Sequence, residues 1–166
     1  MLTIRPAEPR DAALLLQLVR ELAEYEKLAH EVEATAEDFL RDGFGPRPRF
    51  EAAVAEWDGT PAGFALWFYN YSTFAGRHGL YLEDLFVRPP FRGKGIGKAL
   101  LVHLAGLAAA QGCARYQWQV LDWNTPSIRF YEALGARKFP EWLTMRVAGP
   151  DIARLAGQQP APPRVP

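Results

Sequence analysis

One segment of the chain has the residue types of an anion-binding turn. It holds three glycines and three cationic side chains within seven residues: Arg92, Gly93, Lys94, Gly95, Ile96, Gly97 and Lys98. Glycine permits positive φ and a close approach of the backbone to a ligand, and the first N–H groups of a helix have no acceptor within it. Because a helix is predicted from Gly95 onward, these N–H groups and the nearby cations would together bind a phosphate.

Two common nucleotide motifs do not describe this turn. A P-loop requires Ser or Thr after Gly-Lys, and Ala99 follows Lys98 here. The dinucleotide fingerprint Gly-x-Gly-x-x-Gly would need a glycine where Lys98 stands. The pattern that is present is Arg-x-x-Gly-x-Gly, at Arg92, Gly95 and Gly97. The turn is therefore predicted to bind a phosphate-bearing ligand in a way that differs from both of these nucleotide motifs.

Two adjacent carboxylates, Glu83 and Asp84, precede the turn in a strand-like segment. The rest of the segment is aromatic or aliphatic, as on a buried pleated surface, and Pro89 and Pro90 end it. Since neighbouring strand residues point to opposite faces, a regular strand would direct one acid inward. A buried carboxylate without a partner is costly, so the inward acid should line a cleft or contact a partner. The alternative is an acid pair on the surface or in salt bridges.

A second informative stretch begins at Asn124, just before a predicted helix start, where its side chain can cap the helix or meet a ligand. Tyr131 follows seven residues later, about two turns on, so both residues lie along one helix face. The alternative for a tyrosine in such a place is a packed core position.

The predicted elements place these residues in one domain, residues 1–157, and the proline-rich residues 158–166 form a predicted disordered tail. Thr35 and Asp38 form a capping-box pattern, and Asp58-Gly59 is a strong hairpin signal. Strands are predicted over 2–6, 50–56, 62–71, 81–87, 116–121 and 142–147. Helices are predicted over 9–28, 35–43, 95–110, 126–134 and 151–156.

Composition excludes several classes of protein. Nineteen basic and nineteen acidic side chains among 166 residues leave no net charge, so nothing indicates nucleic acid or an anionic membrane as a partner. The single cysteine, Cys113, excludes an intramolecular disulfide framework and suits a reducing compartment. The N-terminus lacks the apolar core of a signal peptide, and no apolar run is long enough to span a membrane. A cytoplasmic protein is therefore expected, and the three histidines show no metal-ligand spacing.

The turn, the Asn…Tyr…Gly stretch and the order of the elements resemble the GNAT superfamily of N-acetyltransferases, which bind acetyl-coenzyme A (acetyl-CoA). The resemblance implies an α/β (α+β) GNAT fold, with a mixed, mostly antiparallel central sheet flanked by helices and central strands that splay at the acetyl-CoA site. The chain is most similar to the spermidine/spermine (diamine) and thialysine N-acetyltransferase subfamily. Residues 20–27, 42–45, 71–73, 76–77, 81–84 and 121–124 carry that similarity. The Tyr-Ser-Thr stretch around Ser72 looks more like the thialysine branch, because the polyamine branch tends to have an acid there.

The resemblance also implies roles for individual residues. Tyr131 is the expected general acid and Glu83 the expected base. The residues expected to bind the acceptor amine are Tyr25, Glu26, Glu83 and Asp84. The residues expected to bind acetyl-CoA are Leu85, Phe86, Val87, Arg92, Gly93, Lys94, Gly95, Ile96, Gly97, Lys98, Asn124, Ser127 and Tyr131. Acetyl-CoA is the expected cosubstrate, no metal is expected, and members of this subfamily are commonly homodimers.

The chemistry expected from the resemblance is acetylation of an amine. An alkylammonium with a pKa of about 10.4 must lose a proton before it can attack a thioester, at a cost of roughly 4–5 kcal/mol at neutral pH. A carboxylate acting directly or through water can help to remove that proton. The acceptor is expected to be a diamine, a polyamine or a thialysine-like amino acid. Two alternatives stay open, namely acetylation of lysine in proteins or peptides and a non-catalytic acyl-CoA sensor.

Overall fold

A five-stranded sheet with strand order β1-β2-β3-β4-β5 organises the first part of the chain. The computed structural model describes residues 1–158, which divide into two compact units, Met1–Gln119 and a second that starts at Val120. Neighbouring strands are antiparallel except for β4 and β5, which are parallel. The strands are β1 Leu2–Pro6, β2 Glu51–Trp57, β3 Thr60–Ser72, β4 Arg77–Val87 and β5 Tyr116–Gln117.

The α-helices are α1 Ala12–Tyr25, α2 Ala36–Phe44, α3 Ile96–Ala110, α4 Thr125–Ala133 and α5 Pro150–Ala156. Short 3-10 turns occur at Pro9–Asp11, Ala29–Glu31 and Pro89–Phe91. The predicted helices are thus confirmed with shifted ends. None of the helices in residues 1–158 is long and apolar enough to cross a membrane.

Helices α1 and α2 cover one face of the sheet. Leu15 and Leu18 of α1 are completely buried and share a cluster with Val54, Phe64 and Phe86 of the strands. Burial of such side chains, worth about 1.5–3 kcal/mol each, is what holds a helix to a sheet. On the other face lies α3, whose C-terminal cap Gln111 donates a 2.7 Å hydrogen bond to the Tyr69 hydroxyl.

Two local predictions are confirmed by their hydrogen bonds and dihedral angles. At the start of α2, the Thr35 hydroxyl accepts from the Asp38 N–H at 3.2 Å, and the Asp38 carboxylate accepts from the Thr35 N–H at 2.9 Å. Between β2 and β3, Asp58 and Gly59 both have positive φ, 50° and 76°. Positive φ at both central positions is the requirement of the tight hairpin turn that matches the strand twist.

The second compact unit corrects one prediction. The expected strand over 142–147 is wrong, because within the described chain none of these residues forms a ladder with another strand. Its apolar side chains are largely exposed: Trp142 by 76%, Leu143 by 83% and Met145 by 89%. A strand exists only through pairing with a neighbour, and a residue pattern cannot supply that neighbour.

The strand expected over 116–121 is likewise reduced to the two residues of β5, Tyr116 and Gln117. The predicted tail lies outside the described residues except for Gln158.

Candidate active site

Strand β4 is irregular at the acid pair. Along its edge with β3, Leu82 pairs with Trp67 and Asp84 pairs with Leu66, so Glu83 is an extra residue in a β-bulge. A bulge breaks the alternation of side chains and leaves its extra residue unpaired. The strand is therefore not regular at the acid pair, yet Glu83 is exposed and Asp84 is the more buried of the two acids, in keeping with the expectation of one outward and one inward acid.

The opposite edge of β4 diverges from β5. The two strands pair only at Leu80 with Tyr116 and at Tyr81 with Gln117. Residues 82–87 of β4 consequently have no strand partner on that side within residues 1–158. Backbone N–H and C=O groups at such an edge are available to an extended ligand, as in strand addition. The predicted splay of the central strands is present, and Leu85, Phe86 and Val87 lie along it.

The glycine turn has the conformation that its sequence predicts. Gly93 and Gly95 have φ of 77° and 78°, and Gly95 is the N-terminal cap of α3. A Cβ atom at either glycine would meet nothing within 4 Å, so the dihedral angle and not crowding requires glycine. The first backbone hydrogen bond of α3 runs from Ala99 to Gly95. The N–H groups of the three residues between them thus lie at the helix end where an anion is favoured.

Aromatic rings hold two cations beside this turn. The Arg92 guanidinium lies 4.7 Å from the centre of the Tyr25 ring, and its Nε donates to the Val87 carbonyl at 3.0 Å. The Lys94 ammonium lies 4.8 Å from the Trp57 ring and 5.4 Å from Phe91. Cations over aromatic faces are attracted by the ring quadrupole. Two of the three cations predicted to bind phosphate, Arg92 and Lys94, are thereby held beside the turn.

Three acids approach each other close to the turn. Asp84 lies opposite Leu66, a member of the cluster that packs against α1, so Asp84 is on the α1 face of the sheet. Burial, with the charges of Glu83 and Glu26 in addition, raises the pKa of Asp84 to about 7. Burial also raises the pKa of Glu26, which caps the C-terminus of α1. The charges of Glu26 and Glu83 thus both act on Asp84, and Tyr25, next to Glu26, contacts Arg92 of the glycine turn.

In the second unit, the predicted site residues Asn124, Ser127 and Tyr131 lie at the start of α4 or within it. Asn124 is 6% exposed and is the N-terminal cap of the helix, where its Oδ1 accepts from the Ser127 N–H at 3.4 Å. The Tyr131 ring lies 5.4 Å from the Phe130 ring. The capping role of Asn124 is confirmed, while the grouping of Asn124, Ser127 and Tyr131 with the β4 residues stays a prediction.

Sequence reasoning missed several residues that shape this region. These residues are Glu21, Arg88 and Trp57. Arg88 binds Glu21, and the Trp57 ring lies against Lys94, so each has a partner that is distant in sequence. For example, Arg88 and Glu21 are 67 positions apart. The helical pattern of α1 places Glu21 one turn before Tyr25, yet no local signal indicates its partner.

Comparison with known proteins now bears on this geometry. Residues 15–136 match the model of the acetyltransferase (GNAT) family. The chain belongs to this family. It is 39% identical over 166 aligned residues to the thialysine N-epsilon-acetyltransferase of Mus musculus, covering 93% of this chain and 97% of that one. It is 37% identical over 140 residues to the human spermidine/spermine N(1)-acetyltransferase-like protein 1, covering 80% of this chain and 20% of that one.

A solved structure confirms the fold. An integron cassette protein from the mobile metagenome of V. cholerae superposes with a TM-score of 0.79 at 25% identity, covering 95% of this chain and 98% of that one. The GNAT fold class and the resemblance to the thialysine and spermidine/spermine enzymes are thus confirmed. This GNAT protein is an N-acetyltransferase, and GNAT acetyltransferases use acetyl-CoA.

The residues at the turn suit that cosubstrate. Acetyl-CoA carries a pyrophosphate, and the turn offers helix N–H groups together with Arg92 and Lys94. Among residues 1–158, no three His, Cys, Asp or Glu side chains form a group that could hold a metal ion.

Proposed function

We propose that this GNAT enzyme transfers the acetyl group of acetyl-CoA to a primary amine of a small molecule, either a thialysine-like amino acid or a diamine. The observation that carries the proposal is the cluster of Glu26, Glu83 and Asp84 beside the cofactor turn. Three carboxylates attract a cationic acceptor. The mouse relative, a thialysine N-epsilon-acetyltransferase, and the human relative, spermidine/spermine N(1)-acetyltransferase-like protein 1, support an amine of this size.

The acid pair on β4 would remove the proton from the acceptor. A general base works best when its pKa lies near the operating pH, and the pKa of Asp84 is raised to about 7. Glu83, at the exposed bulge, has the better access to solvent and to an incoming amine. We propose that these two carboxylates share the task, because they are neighbours in sequence and the charge of Glu83 acts on Asp84.

The remaining steps use the splayed edge of β4 and α4. After the acid pair has taken the first ammonium proton, the neutral amine nitrogen bonds to the acetyl carbon. The carbon–sulfur bond then breaks with its electron pair on sulfur, and the nitrogen releases its second proton to solvent. A backbone N–H near Phe86 and Val87 would polarise the thioester carbonyl. Tyr131 would protonate the departing sulfur, with Asn124 and Ser127 contacting the cosubstrate. The proposed location is the cytoplasm, and the proposed assembly is a homodimer.

The deciding experiment measures thiol release from acetyl-CoA with a panel of amines. The panel contains thialysine, lysine, putrescine, spermidine and a lysine-bearing peptide. We expect strong release with thialysine or one of the diamines and weak release with the peptide. Turnover of the peptide alone would favour a protein acetyltransferase. Binding of acetyl-CoA without release for any amine would favour a sensor and overturn the proposal.

The role of Tyr131 has a separate test. Tyr131→Phe keeps the ring and removes the proton, so we expect turnover to fall and its dependence on pH to change. Unchanged turnover across the pH range would contradict the general-acid assignment. Phe130→Leu, one residue earlier on α4, is the control for packing.

A further inference from the structure

Arg88 joins three elements directly after the end of β4. Its Nε and Nη2 donate to the two carboxylate oxygens of Glu21 in α1, at 2.8 and 2.7 Å. Its Nη1 donates to the Pro61 carbonyl of β3 at 2.9 Å. The side chains are only 19% and 28% exposed, so this bidentate pair is shielded from solvent more than a surface ion pair. We call this pair the Arg88–Glu21 clamp.

A second bidentate pair ties the same helix at its other end. Arg5 of β1 donates to both oxygens of Asp11, the N-terminal cap of α1, at 2.7 and 3.0 Å. Arg5 also donates to Glu56 at 2.9 Å. The two ties have the same chemistry and lie at opposite ends of α1, and only the clamp is next to the acid cluster.

The clamp links the two elements that carry the acid cluster, the end of α1 and strand β4. Glu21 lies four residues before Tyr25 and five before Glu26, while Arg88 lies four residues after Asp84. The end of β4 is already fixed by the sheet, since Val87 pairs with Gly63 and the Arg88 N–H donates to the Ala62 carbonyl at 2.9 Å. Helix α1 has no such ladder and depends on side-chain contacts, of which the last buried ones are at Leu22 and Ala23. Loss of the clamp would therefore loosen the end of α1 beyond Ala23 and leave β4 in place.

We propose that the Arg88–Glu21 clamp positions the C-terminal end of α1 over β4 and so sets the geometry of the site that receives the acceptor amine. Arg88 and Glu21 are positioning residues in this assignment, and the acceptor role of Tyr25, Glu26 and Asp84 rests on the proposed function. The backbone of the acetyl-CoA turn is fixed by β4 and α3. Its contact with the end of α1 is that of Arg92 with the Tyr25 ring, and Arg92 is also held by the Val87 carbonyl of β4, so loss of the clamp would disturb the turn less than the acceptor site.

The test compares Arg88→Met with Arg5→Met in the full-length protein. Arg88→Met is expected to raise the KM for the amine about tenfold, because small displacements of a positioned group are costly in catalysis. The KM for acetyl-CoA is expected to stay within about twofold. Arg5→Met is expected to lower the melting temperature at least as much as Arg88→Met does. Its KM for the amine is expected to stay unchanged. Glu21→Gln, which keeps the size of the side chain, is the second variant if Arg88→Met folds poorly.

Hydrogen exchange gives a readout that needs no substrate. Amides at the end of α1, from Glu24 to Glu26, are expected to exchange faster in Arg88→Met than in Arg5→Met. A wild-type enzyme that acetylates no amine would overturn the proposed function and the acceptor role, and the exchange comparison would still decide whether the clamp holds α1. Equal changes in exchange and in KM for the two variants would overturn the clamp. A rise confined to the KM for acetyl-CoA would overturn it as well.

Discussion

Two pairs of acids on or near α1 have opposite environments. Asp11 and Glu21 each accept two hydrogen bonds from one arginine, and these bonds hold the pKa of both carboxyls below the usual range. In Glu26 and Asp84, burial raises the pKa, and for Asp84 the neighbouring acids add to the effect. The first pair stabilises the fold through arginine partners. The second pair accumulates negative charge at a cost in stability, which is typical of a functional site.

The largest expected effect comes from removing the acid with the most raised pKa. Asp84→Asn should lower kcat/KM for the best amine by a factor on the order of 10²–10⁴, because it removes a proton acceptor matched to neutral pH. Steady-state thiol release near neutral pH measures this. Activity within about twofold of wild type would remove Asp84 from the proposed acid pair.

Glu83→Gln completes that comparison. If the two acids share the proton, Glu83→Gln should lower kcat/KM by at most as much as Asp84→Asn, and the double variant should be little worse than the more damaging single variant. Full additivity of the two losses would show that the acids act independently. The same thiol-release measurement applies to all three variants.

Removal of a structural acid, Asp11, should lower stability and leave catalysis unchanged. Asp11→Asn should destabilise the protein by about 2–3 kcal/mol, because it removes charge-assisted hydrogen bonds from a buried position. The kinetic constants of the folded fraction should stay unchanged. Chemical denaturation and steady-state kinetics on the same preparation measure both quantities. A selective rise in the KM for the amine would contradict the division into structural and functional acids.

The two pairs should also give opposite slopes of stability against pH. The pKa of Asp84 is raised from 3.8 to about 7, so its contribution is complete below about pH 4 and is lost as the pH rises toward 7. The pKa of Glu21 is lowered, so its contribution is present at neutral pH and is lost as the pH falls.

Asp84→Asn should therefore melt higher than wild type near pH 8, by on the order of 10 °C, and this difference should shrink as the pH falls toward 4. Glu21→Gln should show its largest deficit at neutral pH and approach wild type in acid. Thermal melts across this range measure both. Parallel curves for wild type and Asp84→Asn would contradict the raised pKa.

The smallest expected effect is at an exposed ion pair. Arg41 donates to Asp38 and Asp42 on the solvent side of α2, at 2.8 and 2.6 Å. Exposed pairs contribute little because solvent screens them. Arg41→Met should leave activity and melting temperature within experimental error of wild type. A clear loss of either would contradict the expectation that exposure makes this ion pair unimportant.

Local physics made much of the fold predictable. The hairpin at Asp58-Gly59, the capping box at Thr35 and Asp38, and the glycine turn before α3 each depend on residues close in sequence. Steric limits on φ and unpaired N–H groups at helix ends act over a few residues, so their sequence signals are direct. The conformation of the glycine turn and the Asn124 cap were predictable at this level.

Pairing between distant segments could not be predicted in the same way. The bulge at Glu83 depends on the register between β3 and β4, and that register decides that Asp84 lies on the face packed by α1. The expected strand over 142–147 failed for the same reason, because strand patterns are only realised where a neighbouring strand supplies hydrogen bonds.

The family, the conformation of the glycine turn and the candidate acids follow from the sequence alone, because these depend on residue types at fixed spacing. Which acids have an arginine partner and which lie near other acids depends on how the chain folds. Arg88 lies 67 positions from Glu21, and Glu26 and Asp84 meet only through the packing of α1 on β4. Since burial and neighbouring charge set a pKa, the chemistry of these carboxylates is a property of the folded chain.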